Sequence, residues 1–323
     1  MAAGVTITNN SVYAFGKEKV SGTDNDDNIT NYYLGATING NSGNDTITNN
    51  AWNAMIDGGE GNNLISNGSD AVFTTIQTGA GDDTIINEES RRVAIYGGDG
   101  NNSIEVCGQY ATISCGDGND TISHQGDNSK IDSGAGDDYI ESYGDSVKID
   151  AGAGNDTIYA NGSKLTIDAG AGNDYIALSL LWNSNYIKYD SGNDTIIGIG
   201  SSDTLQIGDG KADYSTQKSG DDVIVTVGEE KIFIKDAFNL WSQLKFKIVG
   251  NSLHDIVGTD GNDTITNLLE GSTVYALGGD DYLVNAANNS IIDGGNGKNT
   301  ISNTGSNVLF QYSGGNDKIM VFN

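Results

Sequence analysis

The sequence predicts an all-β fold, a right-handed parallel β-roll that winds as a solenoid of about 18 residues per coil. Three observations predict it. A glycine-rich turn recurs about every 18 residues through most of the chain. Each turn is followed by a short β-branched run in which inward apolar and outward polar residues alternate. Finally, the 323 residues include 46 Gly and no Pro, which suits a backbone whose N–H groups are nearly all used in sheet ladders.

The repeat is clearest in four consecutive turns, CGDGNDTI, SGAGDDYI, AGAGNDTI and AGAGNDYI, which begin at residues 115, 133, 151 and 169. An apolar residue lies four positions after the last glycine of each turn, and another lies nine positions before that one, as in Ile158 and Ile149. This nine-residue offset is constant in every coil, whereas all insertions fall in the other half. Two short strands per coil, stacked coil on coil, would form two parallel sheets around a thin aliphatic core.

The period divides the chain into three parts. Residues 1–196 form a first array, residues 197–250 break the period, and residues 251–323 form a second array. Within the break, residues 203–207, 222–227 and 231–235 are interpreted as antiparallel strands, and residues 237–244 as a short amphipathic helix. We expect this segment to cap or space the first array.

The excess of acidic residues indicates that cations are binding partners. The 44 acidic residues exceed the 16 basic ones by enough to give a net charge of −28, which disfavours a compact state unless cations lie among the carboxylates. The acidic residues recur singly or in pairs beside Gly and Asn, as ligands of hard cations do. Nucleic acid is not an expected partner. No 18-residue apolar run predicts a membrane span.

The glycine-rich turns are the predicted binding sites. Glycine lets carbonyl oxygens approach one another, and an Asp adds a charged oxygen at the same point of each coil. Six to eight such oxygens favour Ca²⁺ over Zn²⁺ or Mg²⁺. The predicted calcium ligands lie along one edge: Asp27, Gly43, Asp45, Gly81, Asp83, Gly116, Gly118, Asp120, Gly134, Gly136, Asp138, Gly152, Gly154, Asp156, Gly170, Gly172, Asp174, Asp194, Gly261, Asp263, Gly279, Asp281 and Asp317.

Asparagine interrupts this Asp series at Asn63, Asn102 and Asn299, so we expect the tightest calcium binding in the unbroken run from Asp120 to Asp194. A metal-free alternative stays open, because Gly-Asn-Asp turns and Asn ladders also stabilise solenoids without ions. The number of turns in register and the net charge favour the metal.

The turns that begin GGEG at residue 58, GGDG at residue 97 and AGAGNDTI at residue 151 resemble the hemolysin-type calcium-binding nonapeptide of the repeats-in-toxin family. The resemblance implies a calcium β-roll that is exported by a type I system and folds outside the cell. One departure matters: only alternate turns carry the motif here, so calcium should line one edge. This half-decorated pattern is similar to ice-binding rolls of bacterial adhesins, which place Thr where this chain mostly has Ala, Asp, Glu or Ser.

Two function classes remain. The first is a calcium-binding structural or adhesive region of a larger secreted or cell-surface protein; the second is the non-catalytic tail of an exported enzyme or toxin. Glycan and ice binding are minor alternatives, glycan binding through outward aromatics such as Tyr139, Tyr159 and Tyr175. Cell-surface glycans and other copies of the parent protein are therefore candidate partners beside calcium.

No catalytic constellation is present, so we expect no enzyme. His124 and His254 are interpreted as surface imidazoles, and Cys107 and Cys115 as free thiols. The N-terminus lacks the charged and apolar regions of a cleaved signal, and the chain is interpreted as a fragment.

Overall fold

The computed structural model describes residues 6–9, 19–179, 184–200, 202–210, 212–237, 247–249, 251–252, 255–268, 271–311 and 314–321. These residues form strands and turns and no helix. The chain divides into two compact units, Met1–Thr204 and Leu205–Asn323, here called the N-terminal and C-terminal units. The predicted all-β solenoid with coils of about 18 residues is confirmed.

Two parallel sheets make up the N-terminal unit. The first sheet holds the strands that follow the glycine-rich turns: Thr6–Asn9, Asn28–Asn31, Thr46–Asn49, Leu64–Asn67, Thr84–Asn87, Ser103–Val106, Thr121–His124, Tyr139–Ser142, Thr157–Ala160, Tyr175–Leu178 and Thr195–Ile197. The second sheet holds the strands that precede the turns: Lys19–Ser21, Thr37–Asn39, Met55–Asp57, Thr75–Gln77, Ala94–Tyr96, Thr112–Ser114, Lys130–Asp132, Lys148–Asp150, Thr166–Asp168 and Tyr186–Tyr189.

Isoleucine columns set the register of both sheets. Ile140, Ile158 and Ile176 pair across consecutive strands of the first sheet, and Ile149 pairs with Ile167 in the second. The Ile side chains of both columns are at most 1% exposed. A one-residue slip would turn a whole column to solvent, so burial of the branched side chains fixes the pairing. The core therefore lies between the two sheets, as the sequence predicts.

In the turns opposite the glycine-rich edge, the residue three positions before the Ile of the second sheet has a left-handed backbone conformation. Asn53, Phe73, Arg92, Tyr110 and Asn128 all have φ between 57° and 59° there. Such angles are uncommon for residues with a Cβ, and for bulky ones they are strained. The inserted residues lie before this left-handed residue, so the next strand begins at the same distance from it in every coil and stays in register. The Arg92 guanidinium lies 5.4 Å from the Phe73 ring centroid and 5.6 Å from that of Tyr110.

The strand Thr204–Ile207 spans the division between the units. The sequence predicted an antiparallel strand in this segment, but its first residue continues the roll. The N–H of Thr204 donates to the carbonyl of Asn185 at 2.9 Å, as the N–H of Tyr186 donates to that of Leu165 one coil earlier. The backbone pairing of the roll therefore includes Thr204.

The C-terminal unit begins with an antiparallel meander of Asp213–Ser219, Asp222–Val227 and Glu230–Ile234. The predicted pairing of the last two strands is confirmed. The sequence missed Asp213–Ser219, since its polar residues lack the alternation that indicates a strand. Lys247–Val249 and Asn251–Ser252 follow, and Asn251–Ser252 pairs with Asp213 and Tyr214. The predicted helix at 237–244 falls almost wholly outside the described residues.

Two four-stranded parallel sheets complete this unit. One contains Asp255–Val257, Thr273–Tyr275, Ile291–Asp293 and Leu309–Gln311, and the other contains Thr264–Asn267, Tyr282–Asn285, Thr300–Asn303 and Lys318–Val321. Val274, Ala276, Leu283, Ile292 and Ile301 form the buried core of this second roll. No described helix is long and apolar enough to span a membrane.

Candidate metal sites along the glycine-rich edge

The sixth residue of each glycine-rich turn, the inner position, points into the roll. Asp156, for example, lies two residues before Ile158, so the alternation of a strand directs both side chains inward. In the N-terminal unit the inner side chains are between 1% and 4% exposed. The inner positions are Asp27, Asp45, Asn63, Asp83, Asn102, Asp120, Asp138, Asp156, Asp174 and Asp194, then Asp263, Asp281, Asn299 and Asp317. The structure thus buries the predicted acidic ligands of the N-terminal unit as one column; in the C-terminal unit Asp281 is buried, whereas Asp263 and Asp317 are half-buried.

One side-chain oxygen of each inner residue after Asp27 and Asp263 accepts a backbone N–H of the preceding coil. The N–H of Asp120 donates to Oδ1 of Asp138 at 2.7 Å, and the N–H of Asp138 donates to Oδ1 of Asp156 at 2.8 Å. The same link runs from Asp27 to Asp194 and from Asp263 to Asp317, with donor–acceptor distances of 2.7–3.1 Å. We call this column the inner ladder.

The second carboxylate oxygen is the feature that indicates a ligand. Oδ2 is buried and has no hydrogen-bond partner in Asp45, Asp83, Asp120, Asp138, Asp156, Asp174 and Asp281. A buried, unpaired anionic oxygen is strongly unfavourable, and native proteins avoid it. Burial raises the pKa of Asp156 to about 7, with the neighbouring carboxylates of Asp138 and Asp174 adding to the effect. Burial also raises the pKa of Asp120 and Asp174 to about 6.

The coils with asparagine at the inner position show which groups face the side-chain atom that replaces Oδ2. Nδ2 of Asn63 donates to the carbonyl oxygens of Gly59 at 3.2 Å and Gly61 at 3.0 Å, both in its own turn. Asn102 repeats this arrangement, and Nδ2 of Asn299 donates to the carbonyl of Gly294 at 2.6 Å. The turn carbonyls therefore converge on the second atom of the inner side chain.

In the Asp coils, carboxylate oxygen replaces amide nitrogen at that point. The glycines at the second and fourth turn positions, such as Gly152 and Gly154, correspond to Gly59 and Gly61. Gly154 has φ of +138°, and a Cβ there would lie 2.0 Å from the carbonyl oxygen of Gly136 in the preceding coil. Carbonyl and carboxylate oxygens that have no hydrogen-bond donor between them form a set of oxygen ligands that fits a hard cation.

Two predicted ligands are already satisfied. Oδ2 of Asp27 accepts the backbone N–H of Thr23, and Oδ2 of Asp263 accepts that of Thr259 at 2.6 Å. The Thr23 hydroxyl donates to Oδ1 of Asp27 at 3.3 Å, and the Thr259 hydroxyl lies 3.0 Å from Oδ2 and 3.2 Å from Oδ1 of Asp263. Both turns carry Thr at the second position, where the other turns mostly carry Gly. Metal binding by Asp27 and Asp263 stays a prediction, and their Oδ2 atoms differ from the seven unpartnered ones in accepting a backbone N–H.

A second ladder lies outside the first and was not predicted. The fifth residue of each turn, the outer position, is Asn or Asp in every turn except that of Lys298. The N–H of Asn155 donates to Oδ1 of Asp137 at 2.7 Å, and that of Asn173 to Oδ1 of Asn155 at 2.9 Å. Here the later coil donates to the earlier one, the reverse of the inner ladder. The side chains remain exposed, so this ladder needs no ion.

The other end of each first-sheet strand carries a buried asparagine column in part of the chain. Nδ2 of Asn31 donates to Oδ1 of Asn49, which continues to Asn67 and Asn87 at 2.7–2.8 Å. Asn267, Asn285 and Asn303 repeat it in the C-terminal unit. Beyond Asn87 the equivalent residues are Val106, His124, Ser142, Ala160 and Leu178.

His124 is part of this column, so its assignment to the surface was wrong. It is fully buried because it lies two residues after Ile122, on the inward side of the strand. Neither ring nitrogen has a hydrogen-bond partner, and burial lowers the pKa of the imidazole to about 4. His254 lies outside the described residues. Cys107 and Cys115 are free thiols, as the sequence predicts.

Within the described part of the chain, no group of three or more His, Cys, Asp and Glu side chains comes together. A bound ion would therefore draw most of its ligands from backbone carbonyls. This suits Ca²⁺, which accepts carbonyl oxygen readily, better than Zn²⁺, which prefers His and Cys.

No family model and no curated protein matches this sequence. Among solved structures, a hyperactive, Ca²⁺-dependent, β-helical antifreeze protein from an Antarctic bacterium matches with 17% identity and a TM-score of 0.38, over 98% of this chain and 83% of that one. Extracellular lipase LipA from Serratia marcescens matches with 15% identity and a TM-score of 0.29, over 73% of this chain and 40% of that one. Similarity this weak carries no argument about function.

Proposed function

We propose that this chain is a calcium-binding structural or adhesive repeat region of a larger secreted protein of the repeats-in-toxin type. The single observation that carries the proposal is the set of seven buried Asp side chains whose Oδ2 has no partner. Their Oδ1 atoms accept the N–H groups of the inner ladder. In the Asn63 coil, which has an amide at this point, the turn carbonyls accept hydrogen bonds from Nδ2. Calcium would supply the positive charge that these oxygens lack.

The residues proposed to hold calcium are the inner carboxylates and the carbonyls at the second and fourth turn positions. In the N-terminal unit these are Asp45, Asp83, Asp120, Asp138, Asp156, Asp174 and Asp194 with their turn glycines, and in the C-terminal unit Asp281 and Asp317. The run from Asp120 to Asp194 contains no asparagine, and we propose it as the region of highest affinity. Bound cations would also screen part of the net charge of −28.

The proposal makes folding depend on calcium. With a dissociation constant of about 0.1 mM, typical for extracellular modules, a calcium concentration of about 1 mM stabilises the fold by about 1.4 kcal/mol per site. At micromolar calcium or below this stabilisation is absent, and the buried carboxylates remain unpaired. We therefore propose that the roll folds in the calcium-rich exterior rather than inside the cell.

A structural role without catalysis is part of this proposal, as is the absence of a nucleic-acid partner. The tail of an exported enzyme would show the same calcium edge, so the two classes share this chemistry.

The ring contacts among the aromatic side chains do not favour glycan binding. Tyr139, Tyr159 and Tyr175 contact one another across neighbouring strands, with ring centroids 5.7 Å and 6.0 Å apart. Such packing accounts for the tyrosines as sheet-stabilising pairs.

Calorimetric titration of the chelator-treated chain tests the proposal. We expect several Ca²⁺ ions to bind in the sub-millimolar range, and we expect Mg²⁺ to bind more weakly, because Mg²⁺ holds its waters and demands octahedral geometry. A matched NaCl titration at equal ionic strength controls for screening. Absence of calcium binding at millimolar concentration, or equal binding of the two cations, would contradict it.

A further inference from the structure

The inner position is satisfied in different ways along the roll. In the coils of Asn63 and Asn102, the side-chain amide donates to two carbonyls of its own turn. In the coils of Asp27 and Asp263, a Thr backbone N–H reaches Oδ2. In seven other coils, Oδ2 has neither arrangement. The Asn63 and Asn102 coils and the seven Asp coils keep the same Oδ1 link to the neighbouring coil, so these two classes differ only at the second atom.

We infer that the amide groups of Asn63, Asn102 and Asn299 take the place of a cation, so that their coils complete the glycine-rich edge without calcium. This inference rests on the proposed calcium-binding function and divides its sites into two kinds. The amide carries two N–H donors at the point where an Asp coil presents an oxygen. In the coils of Asn63 and Asn102, the second- and fourth-position carbonyls that would bind an ion accept hydrogen bonds instead. Asn299 donates to a carbonyl of its own turn at the first position, that of Gly294.

The distribution of these coils gives the N-terminal unit two halves. The coils from Asn28 to Asn87 also contain the buried asparagine column, whose Nδ2–Oδ1 links run at 2.7–2.8 Å. In that segment amides fill the column end of the first-sheet strands, whereas at the inner position only Asn63 is an amide and Asp45 and Asp83 are carboxylates. The coils from Asp120 to Asp174 lack both kinds of amide and contain four of the unpartnered Oδ2 atoms. Calcium dependence is thus concentrated in the later coils.

Reciprocal substitutions in the full chain test the inference. Asn63→Asp places a carboxylate among the carbonyls of Gly59 and Gly61 while leaving the Oδ1 link to Asp45 possible. We expect the number of bound calcium ions, measured by equilibrium dialysis, to rise by about one. We also expect the melting temperature in calcium-free buffer to fall by about 2–4 °C.

Asn62→Asp is the matched control. It makes the same charge change one residue away, at the exposed outer position, where Asp82 shows that Asp keeps the outer ladder. We expect the control to leave the number of bound ions unchanged.

Asp156→Asn is the converse variant, and it tests the inference independently if Asn63→Asp fails to fold. Its amide oxygen can accept the N–H of Asp138, as the carboxylate does, and its N–H groups can reach the carbonyls of Gly152 and Gly154. We expect about one ion fewer and a higher melting temperature without calcium. The control Asp137→Asn, at the outer position, should leave the number of ions unchanged.

Two outcomes overturn the inference alone: wild-type chain that binds calcium while Asn63→Asp binds no more, or Asp156→Asn that keeps the full number of ions. Wild-type chain that binds no calcium overturns the proposed function and this inference together. The two failures are therefore distinguishable.

Discussion

The backbone N–H of Asp138 donates to Oδ1 of Asp156 at 2.8 Å, while Oδ2 of the same carboxylate is buried without a partner. One oxygen links neighbouring coils and the other remains for a ligand. This division explains why every inner position is Asp or Asn, since both can accept the neighbouring N–H through Oδ1, and why Asp rather than Asn indicates an ion. The Oδ1 link alone would serve a metal-free roll equally well with either residue.

The first prediction concerns pH in calcium-free buffer. Burial raises the pKa of Asp156 to about 7 and that of Asp120 to about 6, above the unfolded value of about 3.9. A raised folded-state pKa gives stability that is present below the unfolded pKa and is lost as pH rises through the folded pKa. We therefore expect the metal-free chain to melt at a lower temperature at pH 8 than at pH 5.

Asp156→Asn checks the origin of that dependence. Removing the most strongly shifted carboxyl should make the loss between pH 5 and pH 8 smaller, as measured by thermal unfolding without calcium. A melting temperature that rises steadily with pH in the metal-free wild type would contradict the assignment.

The second prediction concerns the buried asparagine column. Asn67 accepts from Nδ2 of Asn49 at 2.8 Å and donates to Oδ1 of Asn87 at 2.7 Å. Asn67→Ala leaves buried partners unsatisfied and should lower the free energy of unfolding by roughly 1–3 kcal/mol. Ser142→Ala is the matched control, because Ser142 occupies the equivalent position and its Oγ has no partner. Urea denaturation in calcium should show a clear loss for the first variant only; similar losses would argue against the column.

The third prediction concerns His124, whose buried ring has no hydrogen-bond partner. The pKa lowered to about 4 means that its contribution to stability is present above the unfolded pKa of about 6.5 and is lost as pH falls toward 4. His124→Val places there the residue found one coil earlier, Val106. We expect the variant to be at least as stable as wild type at pH 7, and its advantage in melting temperature to grow at pH 5. A smaller advantage at pH 5 would show that the imidazole is not held neutral.

The fourth prediction follows from the two halves of the N-terminal unit. In calcium-free buffer, hydrogen exchange should be slower in the strands from Thr46–Asn49 to Thr84–Asn87 than in those from Tyr139–Ser142 to Tyr175–Leu178, because the earlier strands end on the hydrogen-bonded asparagine column. Calcium should slow exchange mainly in the later strands. Equal exchange in both segments without calcium would contradict this difference.

Much of the fold followed from the sequence because one simple constraint repeats. Burial of an Ile pair such as Ile149 and Ile158 in every coil fixes the period, the strand faces and the register, and the same alternation places Asp156 inward. The strand Asp213–Ser219 was missed because its polar residues carry no such pattern.

Parts of the site depended on hydrogen-bond direction, which spacing does not reveal. The opposite directions of the inner and outer ladders, through Asp156 and Asn155 for example, emerge only from the stacked backbones. His124 was misjudged because its polar neighbours in sequence suggested the surface, whereas its distance of two residues from Ile122 decides burial. The contacts that Thr23 and Thr259 make with Asp27 and Asp263 could have been expected, because these threonines replace the usual second-position glycine.

Circular dichroism of the full chain, first in EGTA and then in millimolar CaCl₂, tests whether calcium holds the glycine-rich edge. We expect the β-sheet signal and the melting temperature both to increase when calcium is added, and we expect Mg²⁺ at the same concentration not to reproduce the increase. A chain with equal β-sheet content and equal melting temperature in EGTA and in calcium would contradict the claim that calcium holds the glycine-rich edge.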